Sequence, residues 1–335
     1  MPVDAGHESP AILALGETMA AVVPFAGETA ATAVGFVVEP AGAESNVAST
    51  AAQLGVRAAW ASRVGDDAFG ERLRRSVAAR SVDVSRVITD PARPTGVMVK
   101  DPQPQGSAVT YYRRGSAAAA MSISDADAMF AGVGDKTLVH LSGVTPALSA
   151  SCAALVQWLL QSHSYGGLRS FDVNFRPRLW SARAAASEMA RLARASDICF
   201  VGLDEAEPLW GTATPDAVHR LLSDVPQLVV KDGARGVTVY ATGQRLFVPS
   251  LQVDVVEPVG AGDAFAGGYL AAIVKGADPR TAARVGHLAA ARVLLTFADV
   301  VAQPPIEELW HLSVLADEEW AEYAQRPASF GERGD

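Results

Sequence analysis

Short apolar runs alternating with stretches of helical spacing constrain this chain more than any other feature. Ile12–Gly16, Ala58–Val64, Thr137–Ser142, Leu168–Val173, Ile198–Val201, Leu228–Lys231 and Val237–Tyr240 have the length and composition of strands. Between them Ser45–Leu54, Phe69–Ala79, Ser149–Ser162, Ala182–Ala195 and Asp216–Ser223 carry apolar residues at helical intervals. That rhythm predicts an α/β fold of three layers, with a mainly parallel central sheet and helices on both faces. Ligands in such sheets lie beyond the carboxyl ends of the strands. Asp172, Asn174, Glu205, Lys231 and the Gly260–Asp263 joint all fall there. Two stretches break the rhythm: Met19–Pro40 and Thr95–Arg114 alternate like strands with no helix between. They read as a small β-sheet lid, segments 19–40 and 95–114, inserted twice into a single domain spanning 10–315, with two ordinary surface hairpins as the alternative. The ends, 1–9 and 328–335, read as flexible tails.

Composition narrows the function classes. A net charge of -9 and a pI near 5.2 argue against a nucleic-acid surface. No apolar run approaches the ~20 residues that span a bilayer, and Met1–Pro10 lacks the basic and apolar regions of a signal peptide. Cys152 and Cys199 sit in apolar stretches at no metal-binding spacing, as reduced thiols do. The expectation is a soluble, cytoplasmic protein.

The thirteen residues Glu257–Tyr269, Glu-Pro-Val-Gly-Ala-Gly-Asp-Ala-Phe-Ala-Gly-Gly-Tyr, carry the most chemistry. Leu251–Val256 before them reads as a short valine-rich strand. Phe265, Tyr269, Ala272 and Ile273 after it recur at helical spacing, with Gly276 placed to end the helix. Unpaired N–H groups at a helix start attract anions, and small residues let a phosphate approach them. Asp263 in that position would repel a phosphate unless it has a task, and the task that fits is taking a proton from an attacking hydroxyl. The bland alternative is an acid complementing the helix dipole beside a glycine-eased turn. No Gly-Lys pair occurs, which excludes a Walker-type loop, and no Gly-x-Gly-x-x-Gly follows the first strand, which weakens a dinucleotide-binding reading.

Val259-Gly260-Ala261-Gly262-Asp263-Ala264-Phe265, with Gly267-Gly268, resembles the C-terminal signature of the ribokinase-like, phosphofructokinase-B-type carbohydrate kinases. Ala41-Gly42-Ala43-Glu44-Ser45-Asn46, leading into a helix beginning near Val47, is similar to the N-terminal glycine-rich motif of the same family; a turn followed by an asparagine N-cap is the alternative. Gly65-Asp66-Asp67-Ala68-Phe69-Gly70 also matches the family and reads as structural. Within the family, Thr110–Ala117, Leu141–Ser149, Phe171–Arg176 and Glu257–Val259 resemble the 2-keto-3-deoxygluconate kinases, from about Leu13 to Pro304.

The resemblance implies ATP-dependent phosphorylation of the terminal hydroxyl of that sugar acid, with magnesium. Asp263 would be the catalytic base and Gly260, Ala261 and Gly262 the anion hole. Gly42, Ala43, Asn46, Tyr111, Arg113, Arg176 and Asp299 would bind substrate. Asn174, Lys231, Gly233, Gly236, Gly260, Gly262 and His287 would line the nucleotide side, and Glu205 would serve the metal. An arginine fork suits the carboxylate that a keto-deoxy acid carries and neutral hexoses lack. Strand alternation allows only one of Tyr111 and Tyr112 to face the sugar. For Lys231–Gly236 an ordinary hairpin turn, and for His287 a packed helical histidine, remain the alternatives.

Two departures from the family pattern stand out. Gly202-Leu203-Asp204-Glu205 lacks the amide of the Asn-x-x-Glu motif, and Met98 stands where relatives place a substrate-contacting tyrosine. By the same resemblance the lid forms at least a dimer. Other readings are a sibling kinase (fructokinase, ribokinase, or a kinase of the galactonate epimer), a catalytically silent sugar-acid sensor, and a Rossmann-type oxidoreductase.

Overall fold

The computed structural model describes residues 9–25, 28–103, 106–161 and 167–326. The expected tails, apart from Ser9, lie outside the described residues. In chain order the strands are β1 Ile12–Leu15, β2 Met19–Pro24, β3 Phe36–Ala41, β4 Ala58–Gly65, β5 Val87–Asp90, β6 Val97–Gln103, β7 Gly106–Tyr112, β8 Leu138–Ser142, β9 Arg169–Asp172, β10 Ile198–Gly202, β11 Gln227–Lys231, β12 Gly236–Ala241 and β13 Gln244–Pro249. The helices are α1 Ala43–Gln53, α2 Ala68–Ala78, α3 Ala126–Met129, α4 Ala150–Gln161, α5 Ala182–Arg194, α6 Leu203–Trp210, α7 Pro215–Leu221, α8 Ala261–Val274, α9 Pro279–Leu294, α10 Ile306–Ser313 and α11 Asp317–Ala324. No helix among the described residues is long and apolar enough to cross a membrane.

β1, buried at all four residues, lies inside a nine-stranded sheet ordered β13-β12-β11-β10-β9-β8-β1-β4-β5. Pairing is parallel from β5 through β11, and β12 and β13 add an antiparallel edge. Alternate side chains of β1 enter different cores. Ile12 and Ala14 pack with Trp60, Phe200 and Tyr269 under α1, α8 and α9; Leu13 and Leu15 pack with Phe171 and Cys199 under α4 and α5. Strands covered on both faces read as unbroken apolar runs. The expected strands therefore match β1, β4 and β8 to β12 within one residue at each end. β5 and β13 escape that signal, since each exposes part of its length.

The chain grows outward from β1 to β4 and β5 on one side, and from β8 to β13 on the other. The order reverses between β1 and β8, which is where an open α/β sheet forms its ligand crevice. Over that crevice stands a second sheet, ordered β3-β2-β6-β7. Its two halves are joined by parallel pairing of Ala20, Ala21 and Val22 with Val97, Met98 and Val99, so the two segments make one sheet rather than two separate hairpins.

Two local expectations need correction. Leu251–Val256 is irregular: the Gln252 N–H bonds the Ala324 carbonyl and the Val256 N–H the Leu294 carbonyl, so these backbone groups turn to helix ends and not to a ladder. Val255 and Val256 are exposed accordingly. Helix α1 also starts earlier than expected, at Ala43. Gly42, in extended conformation, is its N-cap and accepts the Asn46 N–H at 2.9 Å, so Asn46 lies inside the helix and does not cap it.

Candidate active site

Gly260 opens α8 in the left-handed conformation, φ 84°. A Cβ there would lie 2.4 Å from the Asp299 carbonyl oxygen and 2.8 Å from its Cα, so only glycine fits. The Ala261 N–H makes a long bond to the Pro258 carbonyl, 3.3 Å. Among the described residues, Gly262 and Asp263 show no partner for theirs. Asp263, in the first turn of α8, accepts a hydrogen bond from the Asn46 side-chain amide of α1 at 2.9 Å. Burial pushes its carboxyl up to about 7; the Asn46 bond and Arg176 oppose the shift, Asp172 adds to it, and Lys231 opposes it.

Three more charges stand at neighbouring strand ends. Lys231 closes β11 and Asp172 closes β9, on either side of β10, and the ammonium contacts both Asp172 oxygens at 2.8 and 3.1 Å. Burial alone would lower the Lys231 pKa, but Asp172, Glu205 and Asp263 outweigh it and hold the ammonium above its ordinary range. A Cβ built on Gly262 would lie 3.8 Å from that ammonium, which sets the lysine beside the turn that opens α8.

Glu205 spends one oxygen on the Gly202 N–H at 2.9 Å, capping its own helix. Burial raises its pKa and Asp172 adds to the rise, against Lys231, Gly202 and Arg176. At Gly202 a Cβ would meet the Asp204 carboxylate at 2.3 Å, so that acid occupies the space a side chain at 202 would need. Among the described residues no three His, Cys, Asp or Glu side chains converge as a metal cage. A divalent cation held mainly by phosphates and water fits this sparse, all-oxygen donor set.

The second sheet supplies the opposite wall. Tyr111 faces the cavity while Tyr112, its neighbour, points outward and is 65% exposed. The Arg113 Nε donates to Glu17 Oε2 at 2.6 Å, and Ser116 donates to the other Glu17 oxygen at 2.6 Å. Glu17 is buried just beyond β1, so most of the Arg113 fork is engaged before any substrate arrives. Arg176 is exposed and has no ion-pair partner among the described residues. Gly42 admits no side chain, because a Cβ would meet the Glu17 carbonyl at 2.5 Å. The side-chain oxygens of Asn46 and Asn174 are buried without partners, and Asn174 holds a positive φ of 38°. Unpaired buried acceptors and strained backbone of this kind collect at binding sites.

On the remaining side, Gly236 is forced by the Val248 carbonyl, 2.2 Å from where a Cβ would sit. Burial pushes the His287 pKa down to about 4, and the ring stands edge-on to Phe265. Its Nε2 faces the Val248 carbonyl at 3.2 Å, so the neutral ring donates there.

Every site residue named from the sequence lines one cavity of about 1540 Å³: Asp263, Gly260, Ala261, Gly262, Gly42, Ala43, Asn46, Tyr111, Arg113, Arg176, Asp299, Asn174, Lys231, Gly233, Gly236, His287 and Glu205. Sequence reasoning left out Glu17, Lys100 and Asp204, which line the same cavity. It also gave Asp172 no role in the site. Asp172 had been placed at a strand end without a task of its own, and Glu17, which follows β1, offers the same positional cue. Lys100, on β6, carries no such signal.

A family profile described as pfkB family carbohydrate kinase matches residues 9–303. A 2-dehydro-3-deoxygluconokinase of Thermoproteus tenax is 36% identical over 275 residues, 80% of this chain and 83% of the relative. Another 2-dehydro-3-deoxygluconokinase, of Bacillus subtilis, is 33% identical over 80% of this chain and 85% of that protein. A crystal structure of a PfkB protein from Polaromonas sp. JS666 superposes with a TM-score of 0.78 at 31% identity, covering 90% of this chain and 99% of the other.

Proposed function

The chain belongs to the pfkB family of carbohydrate kinases, and from that premise we propose that it transfers the terminal phosphoryl group of ATP to the 6-hydroxyl of 2-keto-3-deoxygluconate, giving the 6-phosphate ester. One observation carries the reading: a carboxylate in the first turn of a glycine-opened helix, oriented by Asn46 and lifted to about 7. The names of the Thermoproteus and Bacillus relatives support the choice of sugar acid.

In this mechanism the sugar's terminal oxygen attacks the γ-phosphorus in line, the bond to the β,γ-bridging oxygen breaks so that ADP leaves, and Asp263 accepts the hydroxyl proton. Asn46 fixes the carboxylate so that its free oxygen meets the hydroxyl. The amides of Gly262 and Asp263 and the Lys231 ammonium face the charge that develops on the transferred group. Asp172 keeps Lys231 charged and in place. Glu205 would hold a magnesium ion through water, together with the phosphates, and that ion would supply charge neutralisation for the transferred group. Arg176, which forms no ion pair among the described residues, takes the sugar-acid carboxylate; Arg113, tied to Glu17, supports Tyr111, over whose ring it lies at 5.8 Å.

The test is Asp263→Asn, which keeps a hydrogen-bonding side chain but cannot take the proton. A positioned base is worth about 10²–10⁴-fold, so kcat should fall by that range while the dissociation constant for the sugar acid stays within about twofold. Turnover within about tenfold of the parent would refute the assignment of Asp263 as base.

A further inference from the structure

We infer that Lys100 is a positioning residue for phosphoryl transfer: its ammonium pins the Asp299 carboxylate and cancels its charge beside the turn that receives the terminal phosphate. Lys100 lies two residues after Met98 on β6, and both side chains face the cavity. Its Nζ donates to Asp299 Oδ1 at 2.7 Å, with the two side chains only 12% and 11% exposed. The backbone of Asp299 is the surface against which Gly260 packs, at the would-be Cβ distance of 2.4 Å. A negative side chain is thus anchored to the same segment that backs the start of α8. The cavity already carries Asp204, Glu205, Asp254 and Asp263, and an arriving nucleotide adds several negative charges.

Arg80 also feels the field of Asp299, but it lies 3.9 Å from Glu39, which shares its charge. Lys100 is the only cation among the described residues that forms an ion pair with Asp299. Removing one member of a largely buried pair leaves the other uncompensated, whereas removing both charges does not. The consequence is a pattern that loss of packing alone would not produce: replacing Lys100 harms the binding of anions near Gly260, and neutralising Asp299 as well repairs it.

The inference rests on the proposed reading only in that a nucleotide's phosphates enter this cavity. Titration calorimetry with magnesium-ATP and with AMP, which lacks the β- and γ-phosphates, provides the test. Lys100→Met should weaken ATP about tenfold, as expected for an uncompensated like charge, and leave AMP within about twofold. Lys100→Arg should bind ATP like the parent, and Asp299→Asn added to Lys100→Met should restore most of the lost affinity. Equal losses for ATP and AMP, or no recovery in the double variant, would overturn the inference. A chain that shows this pattern but does not phosphorylate 2-keto-3-deoxygluconate would sink the choice of substrate and leave the role of Lys100 standing.

Discussion

Burial lifts the Asp263 carboxyl to about 7, near the pH at which a base is both ionised and strong enough to take a proton. The base must be ionised to act, and its pKa is raised, so activity is lost on the acid side. The kcat/KM for the sugar acid should therefore climb with pH, reach half its maximum near 7 and level off above. A profile that is flat between about pH 5 and 8 would show that this carboxyl does not govern the reaction. Arg176 makes a different claim. It has no ion-pair partner among the described residues, so Arg176→Ala should raise KM for the sugar acid by roughly tenfold or more, the worth of a charge-assisted pair, and change kcat less. Steady-state kinetics with KM and kcat both unmoved would remove it from the carboxylate site. Asp263 and Arg176 were legible because each stands in a motif at a strand or helix end. Glu17 offered only its place after β1 and Lys100 offered nothing, because only the folded chain brings Glu17 to Arg113 and Lys100 to Asp299.

At the scale of elements, the contact between α1 and α8 decides whether Asn46 reaches Asp263. Gly267 makes that contact: a Cβ there would lie 2.7 Å from Thr50 Cβ and 2.8 Å from the Val47 carbonyl. Alanine in place of glycine gains about 1 kcal/mol of helix propensity, while overpacking a tight contact costs about 1–3 kcal/mol. The backbone carbonyl has nowhere to go, so the clash wins. Gly267→Ala should destabilise the protein in urea melts and lower kcat by spreading the 2.9 Å Asn46–Asp263 bond. A gain of about 1 kcal/mol with full activity would contradict this view of the interface. The sequence placed Gly267 in the phosphate-site signature, but its work is helix packing. The same scale explains the misread boundaries. Gly42 caps α1 with its backbone alone and leaves no side-chain cue, and Leu251–Val256 has strand composition but no strand beside it.

For the whole molecule, the doubly covered sheet was readable because burial on both faces leaves continuous apolar runs, as in Ile198–Gly202, buried throughout. The small sheet was read from its two segments as one lid, with separate hairpins as the alternative, because the pairing of Ala20–Val22 with Val97–Val99 that decides between them is long-range and has no local signature. Together the two sheets bound a cavity that carries Asp263 and the glycine-opened turn of α8 on one wall, Arg176 at its edge, and Tyr111 and Met98 on the wall opposite. That combination suits a sugar acid more than a neutral sugar. The most direct measurement is an ATP-coupled assay of the chain against 2-keto-3-deoxygluconate, its galactonate epimer, fructose and ribose, with the product's ester position read by NMR. The highest kcat/KM should fall on 2-keto-3-deoxygluconate with phosphate on the C6 oxygen; a higher value for fructose or ribose, or an ester at another carbon, would contradict the account.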